Sequence, residues 1–332
     1  MPKPPAGREQ LPLFAAERRP ALEVEPAPVS DELRALALAL PPVVRLGTST
    51  WTSPGWEGLV YARSHPPLTL ARQGLRAYAR HPLLRAVGLE HGGYGPLSTA
   101  GLAALAAEVP EGFAFLARAD ERLTRARRPE PRRPGDPPGG DEPRWLDVEH
   151  ARERVVRPFV DGLGPKAGVL LFLLPTQDEA ALGGRRGLPD RLHRFLQALP
   201  RGVSYAVELR NHKLATPAYA AALRDAGALH CVSVHPSMPD VRTQARELDL
   251  LDAPGLVVRW SLNPRLDYDT AHRYYQPFDA LVDPDLVTRF AIAELVRAMS
   301  ERGRPSLVLV GNTAEGSAPR SVEQLARAIV GT

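Results

Sequence analysis

The sequence predicts a TIM-like (β/α)₈ barrel preceded by a flexible N-terminal tail. Eight short apolar runs recur from residue 43 onward, helical patterns separate them, and the series extends over about 290 residues. Strands that alternate with helices favour a parallel sheet, and eight such units are the number that closes this barrel. An open doubly wound sheet is the alternative fold. Because no G-x-G-x-x-G follows a predicted strand, no nucleotide cofactor is expected.

The predicted strands are apolar runs rich in valine, leucine and alanine. They cover residues 43–47, 86–90, 113–117, 167–174, 204–209, 229–234, 256–260 and 307–310. Helical periodicity is clearest over residues 68–80, 99–108, 148–161, 188–199, 217–225, 284–301 and 321–329. The sixth unit is the weakest, because residues 240–251 have room for only one or two helical turns. Ser321 and Gln324 form a capping box that predicts the start of the last helix.

Residues 1–42 are rich in proline, alanine and charge, and they predict a flexible tail that ends in a short helix over residues 33–40. The segment Gln10-Leu11-Pro12-Leu13-Phe14 places three apolar anchors in this tail. It resembles the pentapeptide with which bacterial replication and repair proteins bind the DNA sliding clamp. A hydrophobic groove on a partner would accept such anchors. The alternative is a segment that packs on its own domain.

Composition indicates a folded protein of the cytoplasm. The chain is 44% hydrophobic, and its single cysteine, Cys231, cannot form an internal disulfide. Its N-terminus lacks a signal-peptide core, and no apolar run approaches the ~18 residues that a membrane span needs. The net charge of +4 is weak support for a nucleic-acid partner, because the arginine excess accompanies the alanine and proline bias of a GC-rich genome. The oligomeric state is not determined by these features.

A long insertion at about residues 118–144 follows the third predicted strand. Its middle is rich in proline and glycine, and its basic residues are Arg118, Arg122, Arg125, Arg127, Arg128, Arg132, Arg133 and Arg144. In a barrel this loop lies on the catalytic face, where a mobile cationic segment would suit a polyanion. The alternative is a solvated insertion without a function.

Several short motifs recur in an order typical of one family. They are Gly47-Thr48-Ser49-Thr50-Trp51, Leu89-Glu90-His91-Gly92-Gly93-Tyr94, Pro110-Glu111-Gly112-Phe113-Ala114-Phe115, Leu170-Leu171-Phe172-Leu173-Leu174-Pro175, Val207-Glu208-Leu209-Arg210, Val258-Arg259-Trp260 and Gly311-Asn312. On these residues the chain from about 43 to 330 resembles the YecE-like family, the domain of unknown function numbered 72. The resemblance implies a TIM-like barrel without a settled activity. Arg118 and Leu173 replace a lysine and a glutamine of the family pattern, which weakens the expectation of catalysis but not that of anion binding.

The motifs coincide with predicted strand ends, where the chemistry of a barrel is located. Glu90 and Glu208 are the candidate catalytic acid and base, although Glu208 and Arg210 could instead form a structural ion pair. The residues predicted to bind a substrate or anion are Trp51, Tyr94, Arg118, Arg210, Arg259 and Asn312. A divalent metal is an option, with His91 and His235 as weak candidate ligands. Aromatic rings near Arg259 and Arg273, namely Trp260, Tyr274 and Tyr275, could stack on a base or sugar.

Together these features favour a nucleic-acid-binding protein, or a phosphodiester hydrolase, in DNA repair or replication. Two alternatives remain open. One is an enzyme that uses Glu90 and Glu208 on a phosphorylated or carbohydrate substrate. The other is a noncatalytic adaptor that the tail peptide, through Gln10, Leu11, Leu13 and Phe14, tethers to the sliding clamp.

Overall fold

The structure, a computed structural model, describes residues 23–89, 98–128 and 139–331. Eight parallel strands close into a barrel in the order β1-β10-β9-β8-β7-β6-β3-β2, and β4 and β5 form a separate antiparallel hairpin. The strands are β1 Val44–Thr48, β2 Leu84–Leu89, β3 Ala114–Arg118, β4 Arg127–Arg128, β5 Gly140–Asp141, β6 Ala167–Leu174, β7 Tyr205–Leu209, β8 Leu229–Val234, β9 Leu256–Trp260 and β10 Ser306–Val310. The predicted barrel is confirmed.

Helices cover the outside of the barrel and connect its strands. They are α1 Asp31–Ala39, α2 Pro67–Gln73, α3 Leu75–Tyr78, α4 Thr99–Ala107, α5 Val148–Ala151, α6 Arg157–Leu163, α7 Glu179–Leu182, α8 Gly184–Gln197, α9 Pro217–Ala226, α10 Val241–Glu247, α11 Tyr268–Tyr275, α12 Leu286–Glu301, α13 Asn312–Glu315 and α14 Ala318–Val330. A π-helical turn, Arg152–Val156, joins α5 to α6. Within the three described ranges, no helix is long and apolar enough to cross a membrane.

The barrel interior changes from apolar to polar along the strands. Ala206, Cys231 and Val257 belong to an apolar cluster that fills the interior. Two residues further along their strands come Glu208, Ser233 and Arg259, all buried. Because side chains two apart on a strand point to the same side, this polar set closes the interior at the carboxyl ends of the strands.

The segment before β1 packs against the barrel. Val24, Leu36 and Leu40 are buried in the main hydrophobic core. Backbone hydrogen bonds also hold this segment against the barrel. Ala27 N donates to Val60 O at 2.9 Å, and Ala62 N donates to Glu25 O at 2.9 Å. The predicted flexible tail therefore does not extend over residues 23–42, because their apolar side chains find a place in the core.

The last helix begins at Ala318, three residues earlier than the capping box predicts. The backbone N–H of Ala318 donates to Oδ1 of Asn312 at 2.9 Å, so the acceptor comes from the end of β10. Ser321 instead lies inside the helix, fully buried, and its Oγ has no hydrogen-bond partner among the described residues. The start of α14 is thus set by a tertiary contact.

The described ends of the insertion are ordered. Strand β4 pairs with β5 in an antiparallel register, so the chain enters and leaves the insertion as a hairpin. Its arginines form ion pairs: Arg122 with Asp120 at 2.6 Å, Arg127 with Asp141 at 3.3 Å, and Arg144 with Asp147 at 3.0 Å. Local carboxylates therefore compensate much of the charge at these ends, and the mobility of the insertion stays a prediction. Arg132 and Arg133 lie outside the described residues.

Candidate functional site: a cationic cavity at the carboxyl ends of the strands

A cavity of about 1300 Å³ opens at the carboxyl ends of the barrel strands. Each of the eight barrel strands contributes lining residues at or just after its end. Its arginines are Arg72, Arg118, Arg125, Arg210 and Arg259. Within the described part of the chain, no aspartate or glutamate lines it. Hydroxyl groups, including those of Thr50, Ser261 and Thr313, complete a lining that is strongly cationic and rich in hydrogen-bond donors.

Glu208 lies beneath the cavity and holds two of these arginines. Its Oε1 accepts hydrogen bonds from Arg210 Nε at 3.0 Å and Ser233 Oγ at 2.8 Å. Its Oε2 accepts a short hydrogen bond from Arg259 Nη1. Burial raises the pKa of Glu208, but the two guanidinium groups outweigh burial and lower it from 4.5 to about 2. Glu208 is therefore ionised, fully buried and engaged at both oxygens.

Strand register explains why these groups meet. Ser233 on β8 is level with Arg259 on β9, and Glu208 lies on the next strand, β7. All three point inward at the level where the apolar interior ends. The motifs Val207-Glu208-Leu209-Arg210 and Val258-Arg259-Trp260 therefore encode one buried cluster. The ion pair between Glu208 and Arg210, which is the alternative to a catalytic role for Glu208, is present. Its arginine is part of the cavity wall.

Two further arginines line the cavity, Arg118 at the end of β3 and Arg125 in the loop after it. Arg118 Nη2 lies 3.9 Å from Glu121 Oε2, and Arg125 Nε lies 3.4 Å from the same oxygen. The side chains of Arg118 and Arg125 are 25% and 33% exposed. Among the described residues, Glu121 is thus shared by two guanidinium groups on this side of the cavity.

Trp51 and Asn312 line the cavity but already make structural hydrogen bonds. Trp51 is nearly buried and its Nε1 donates to Leu70 O at 3.1 Å. Asn312 accepts from Trp56 Nε1 at 3.1 Å, and its Nδ2 donates to Ser53 Oγ at 3.3 Å. Both side chains shape the cavity wall.

His235 lines the cavity as a neutral ring at pH 7. Burial, followed by the nearby Arg210, lowers its pKa from 6.5 to about 4. Its Nδ1 accepts from the backbone N–H of Ser237 at 3.2 Å and lies 2.8 Å from Ser237 Oγ. Because Nδ1 accepts a hydrogen bond, the proton of the neutral ring is on Nε2. A histidine that ligates a metal through one ring nitrogen usually donates a hydrogen bond through the other, whereas Nδ1 of His235 accepts one. Among the described residues, no three histidine, cysteine or acidic side chains cluster.

Several predicted site residues fall outside the described ranges. They are Glu90, His91 and Tyr94 after β2, and Gln10, Leu11, Leu13 and Phe14 in the tail. The pairing of Glu90 with Glu208, the metal role of His91 and the clamp peptide therefore stay predictions.

The aromatic residues that line the cavity are not those that the sequence indicates for stacking. Trp260 and Tyr275 are buried in the core, and Tyr274 does not line the cavity. The aromatic residues that do line it near α11 are Tyr268, His272 and Phe278. The four-residue spacing of Tyr268 and His272 is the signal that could have found them, because it places both on one face of a helix.

Eight parallel strands that close into a barrel define a TIM-like barrel protein. In this protein an arginine-rich cavity lies at the carboxyl ends of the strands. The chain belongs to the DUF72 family of proteins of unknown function, whose model matches residues 45–331. The family implied by the sequence motifs is confirmed.

Solved structures of the same family share the fold. A DUF72 family protein from Thermotoga maritima matches with a TM-score of 0.56 and 16% identity, over 86% of this chain and 98% of its own. A DUF72 family protein from Enterococcus faecalis matches with a TM-score of 0.53 and 16% identity, over 86% and 95%. No curated protein matches this chain.

Proposed function

We propose that this protein binds a phosphate-bearing polyanion in the cavity, and that the ligand is single-stranded nucleic acid. The observation that supports this most is the described lining of five arginines without a carboxylate. Guanidinium groups match phosphate oxygens in a bidentate geometry, and a cleft lined with one sign of charge concentrates ions of the opposite sign.

The buried cluster of Glu208, Arg210 and Arg259 supports the proposal, because it holds two arginines in place before a ligand binds. Arg210 and Arg259 are held against Glu208, so their side chains lose little further freedom when an anion arrives. Among the described residues the cluster contains two arginines and one glutamate. It therefore orders two guanidinium groups of the cavity lining before an anion arrives.

Cavity size favours a nucleic acid over a small metabolite. At about 1300 Å³ the cavity exceeds the ~300–1,000 Å³ typical of small-molecule sites. A chain of several nucleotides has the phosphate spacing and length to use arginines that come from separate strands.

Binding is a better fit than hydrolysis for the described residues. Glu208 is poorly suited to proton transfer, because Arg210, Arg259 and Ser233 engage both of its oxygens and its pKa is lowered to about 2. Phosphodiester hydrolysis would depend on Glu90, which lies outside the described ranges, and it stays a prediction of the sequence.

The test compares two arginines of one loop. Arg125 lines the cavity, whereas Arg122 is paired with Asp120 and does not. We expect Arg125→Gln to weaken binding of a short fluorescent single-stranded oligonucleotide and to make the salt dependence of log K shallower by ~0.7, the value for one lost phosphate contact. Arg122→Gln should change neither quantity. Fluorescence anisotropy at several salt concentrations measures both. Equal losses in the two variants, or none in Arg125→Gln, would contradict the cavity as the binding site.

We further propose that the segment Gln10-Leu11-Pro12-Leu13-Phe14 binds the sliding clamp. Its support is the sequence alone, which offers three apolar anchors beside a glutamine. A variant with Leu13→Ala and Phe14→Ala should lose binding to purified clamp in surface plasmon resonance, because a few anchors supply most of a short peptide's affinity. Clamp binding that persists in this variant would rule the segment out.

A further inference from the structure

We propose that Tyr268, His272 and Phe278 form a stacking subsite for a nucleobase at one side of the cavity; these three residues are called the aromatic ledge below. The proposal rests on the proposed function, because it assigns the base of the same nucleic-acid ligand whose phosphates face the arginines. It adds a second recognition element that is independent of charge.

The rings of the aromatic ledge form a continuous series. The centroids of Tyr268 and His272 are 5.7 Å apart with ring planes at 30°, and those of His272 and Phe278 are 5.2 Å apart at 66°. All three residues line the cavity, and Tyr268 is 60% exposed. At this exposure, part of the Tyr268 side chain is accessible from the cavity.

The helix beneath the ledge is firmly supported from its other side. Leu262, Ala271 and Tyr275 form a small buried cluster against which Phe278 packs. Tyr275 OH donates to Asp283 Oδ2 at 2.8 Å and accepts from Asn263 Nδ2 at 3.0 Å. These contacts fix α11 through residues that do not belong to the ledge. The exposed Tyr268 and the half-buried His272 and Phe278 are therefore held on a firmly packed base, which lowers the entropy cost of stacking.

The backbone of Phe278 is a second indication that the aromatic ledge is a ligand site. Its φ is +71°, a conformation that bulky residues rarely adopt, and its N–H donates to Tyr275 O at 2.8 Å. Strained residues of this kind persist where the surrounding structure holds them, and they concentrate at ligand sites. Here the strain keeps the Phe278 ring next to His272 on the cavity wall.

Arginines and aromatic rings that line one cavity are a combination that binds single-stranded nucleic acid. Cations follow the backbone, and bases stack on aromatic faces regardless of sequence. The three rings, whose planes lie at 30° and 66° to one another, give the cavity an aromatic surface that a nucleobase can contact. The aromatic ledge therefore favours a ligand that carries bases, whereas the arginines alone would bind any polyphosphate.

The experiment uses two probes that differ only in their bases: a short single-stranded DNA of mixed sequence, and an abasic strand of the same length. We expect the full chain to bind the base-bearing strand about 5- to 100-fold more tightly, since stacking on an aromatic residue contributes that much per base. Tyr268→Ala should remove most of this preference, and Tyr268→Phe should keep it because the ring remains.

Tyr274→Ala is the matched control. Tyr274 lies on the same helix with 59% exposure, yet it does not line the cavity, so its removal should leave the preference unchanged. Equal binding of both strands by the full chain would overturn the ledge while leaving the proposed function intact. Equal losses for Tyr268→Ala and Tyr274→Ala would overturn it too. Failure of both strands to bind would instead reject the proposed function.

Discussion

At the scale of single residues, Glu208 determines the character of the cavity. A carboxylate in a fully buried position is costly unless cations and hydrogen bonds surround it, and here two guanidinium groups and one hydroxyl do so. The same contacts hold the arginines in place. The residue that sequence reasoning selects as a catalytic acid or base is thus suited to positioning Arg210 and Arg259 for an anion.

Replacing Glu208 with glutamine tests this role. Glu208→Gln removes a charged partner of Arg259, which is only 5% exposed, so we expect the free energy of unfolding at pH 7 to fall by about 3–5 kcal/mol. Urea denaturation measures this change. Glu111→Gln, at an exposed turn, is the control and should stay within about 0.5 kcal/mol of the wild type.

The pH dependence of stability gives a second readout for Glu208. Its pKa is lower in the folded protein, about 2, than its ordinary value of 4.5. Its contribution is therefore fully present above pH 4.5 and is lost as the pH falls from 4.5 toward 2. In Glu208→Gln this part of the pH dependence should be absent. An unchanged acid transition in the variant would show that Glu208 does not carry the ion pairs in solution.

At the scale of elements, the start of α14 depends on a residue from the end of β10. Asn312 accepts from the Ala318 N–H at the beginning of the helix and from the indole N–H of buried Trp56. We expect Asn312→Ala to lower the free energy of unfolding by about 1–3 kcal/mol, because both donors lose their acceptor. Thermal and urea denaturation measure the loss.

Ser321 is the matched control for that prediction. It belongs to the capping box that the sequence indicates, but its hydroxyl lies inside the helix without a partner among the described residues. Ser321→Ala should therefore be neutral or slightly stabilising. If Ser321→Ala were the more destabilising of the two, the helix would start at the capping box after all.

At the scale of the whole molecule, buried histidines make stability depend on pH in a separate window. Burial lowers the pKa of His81, His230 and His235 from 6.5 to about 4. Between these values the unfolded chain binds protons that the folded protein does not, so stability falls as the pH decreases from 6.5 to 4. Each histidine contributes up to ~1.4 kcal/mol per pH unit there. Urea denaturation from pH 7 to 4.5 should show this decline, and a flat profile would contradict neutral burial.

The sequence by itself determined the architecture. Local apolar runs and helical periodicity place all eight barrel strands within a few residues of their observed bounds, because neighbouring side chains encode strand and helix directly. The ends of those strands then indicate where polar residues gather. Of the residues that the sequence predicts to bind an anion, Trp51, Arg118, Arg210, Arg259 and Asn312 line one cavity, and their role in binding stays a prediction.

Only the tertiary structure decided what those residues do there. Glu208 is engaged by one arginine that follows its own strand and by one from β9, and Asn312 accepts from Trp56, 256 residues earlier in the chain. Tyr268 faces the cavity while Trp260 and Tyr275 are buried. Partners of this kind come from distant strands, and burial depends on the whole packed core. A local pattern can place a polar group at a site, but its free lone pairs, its pKa and its exposure follow from contacts that only folding brings together.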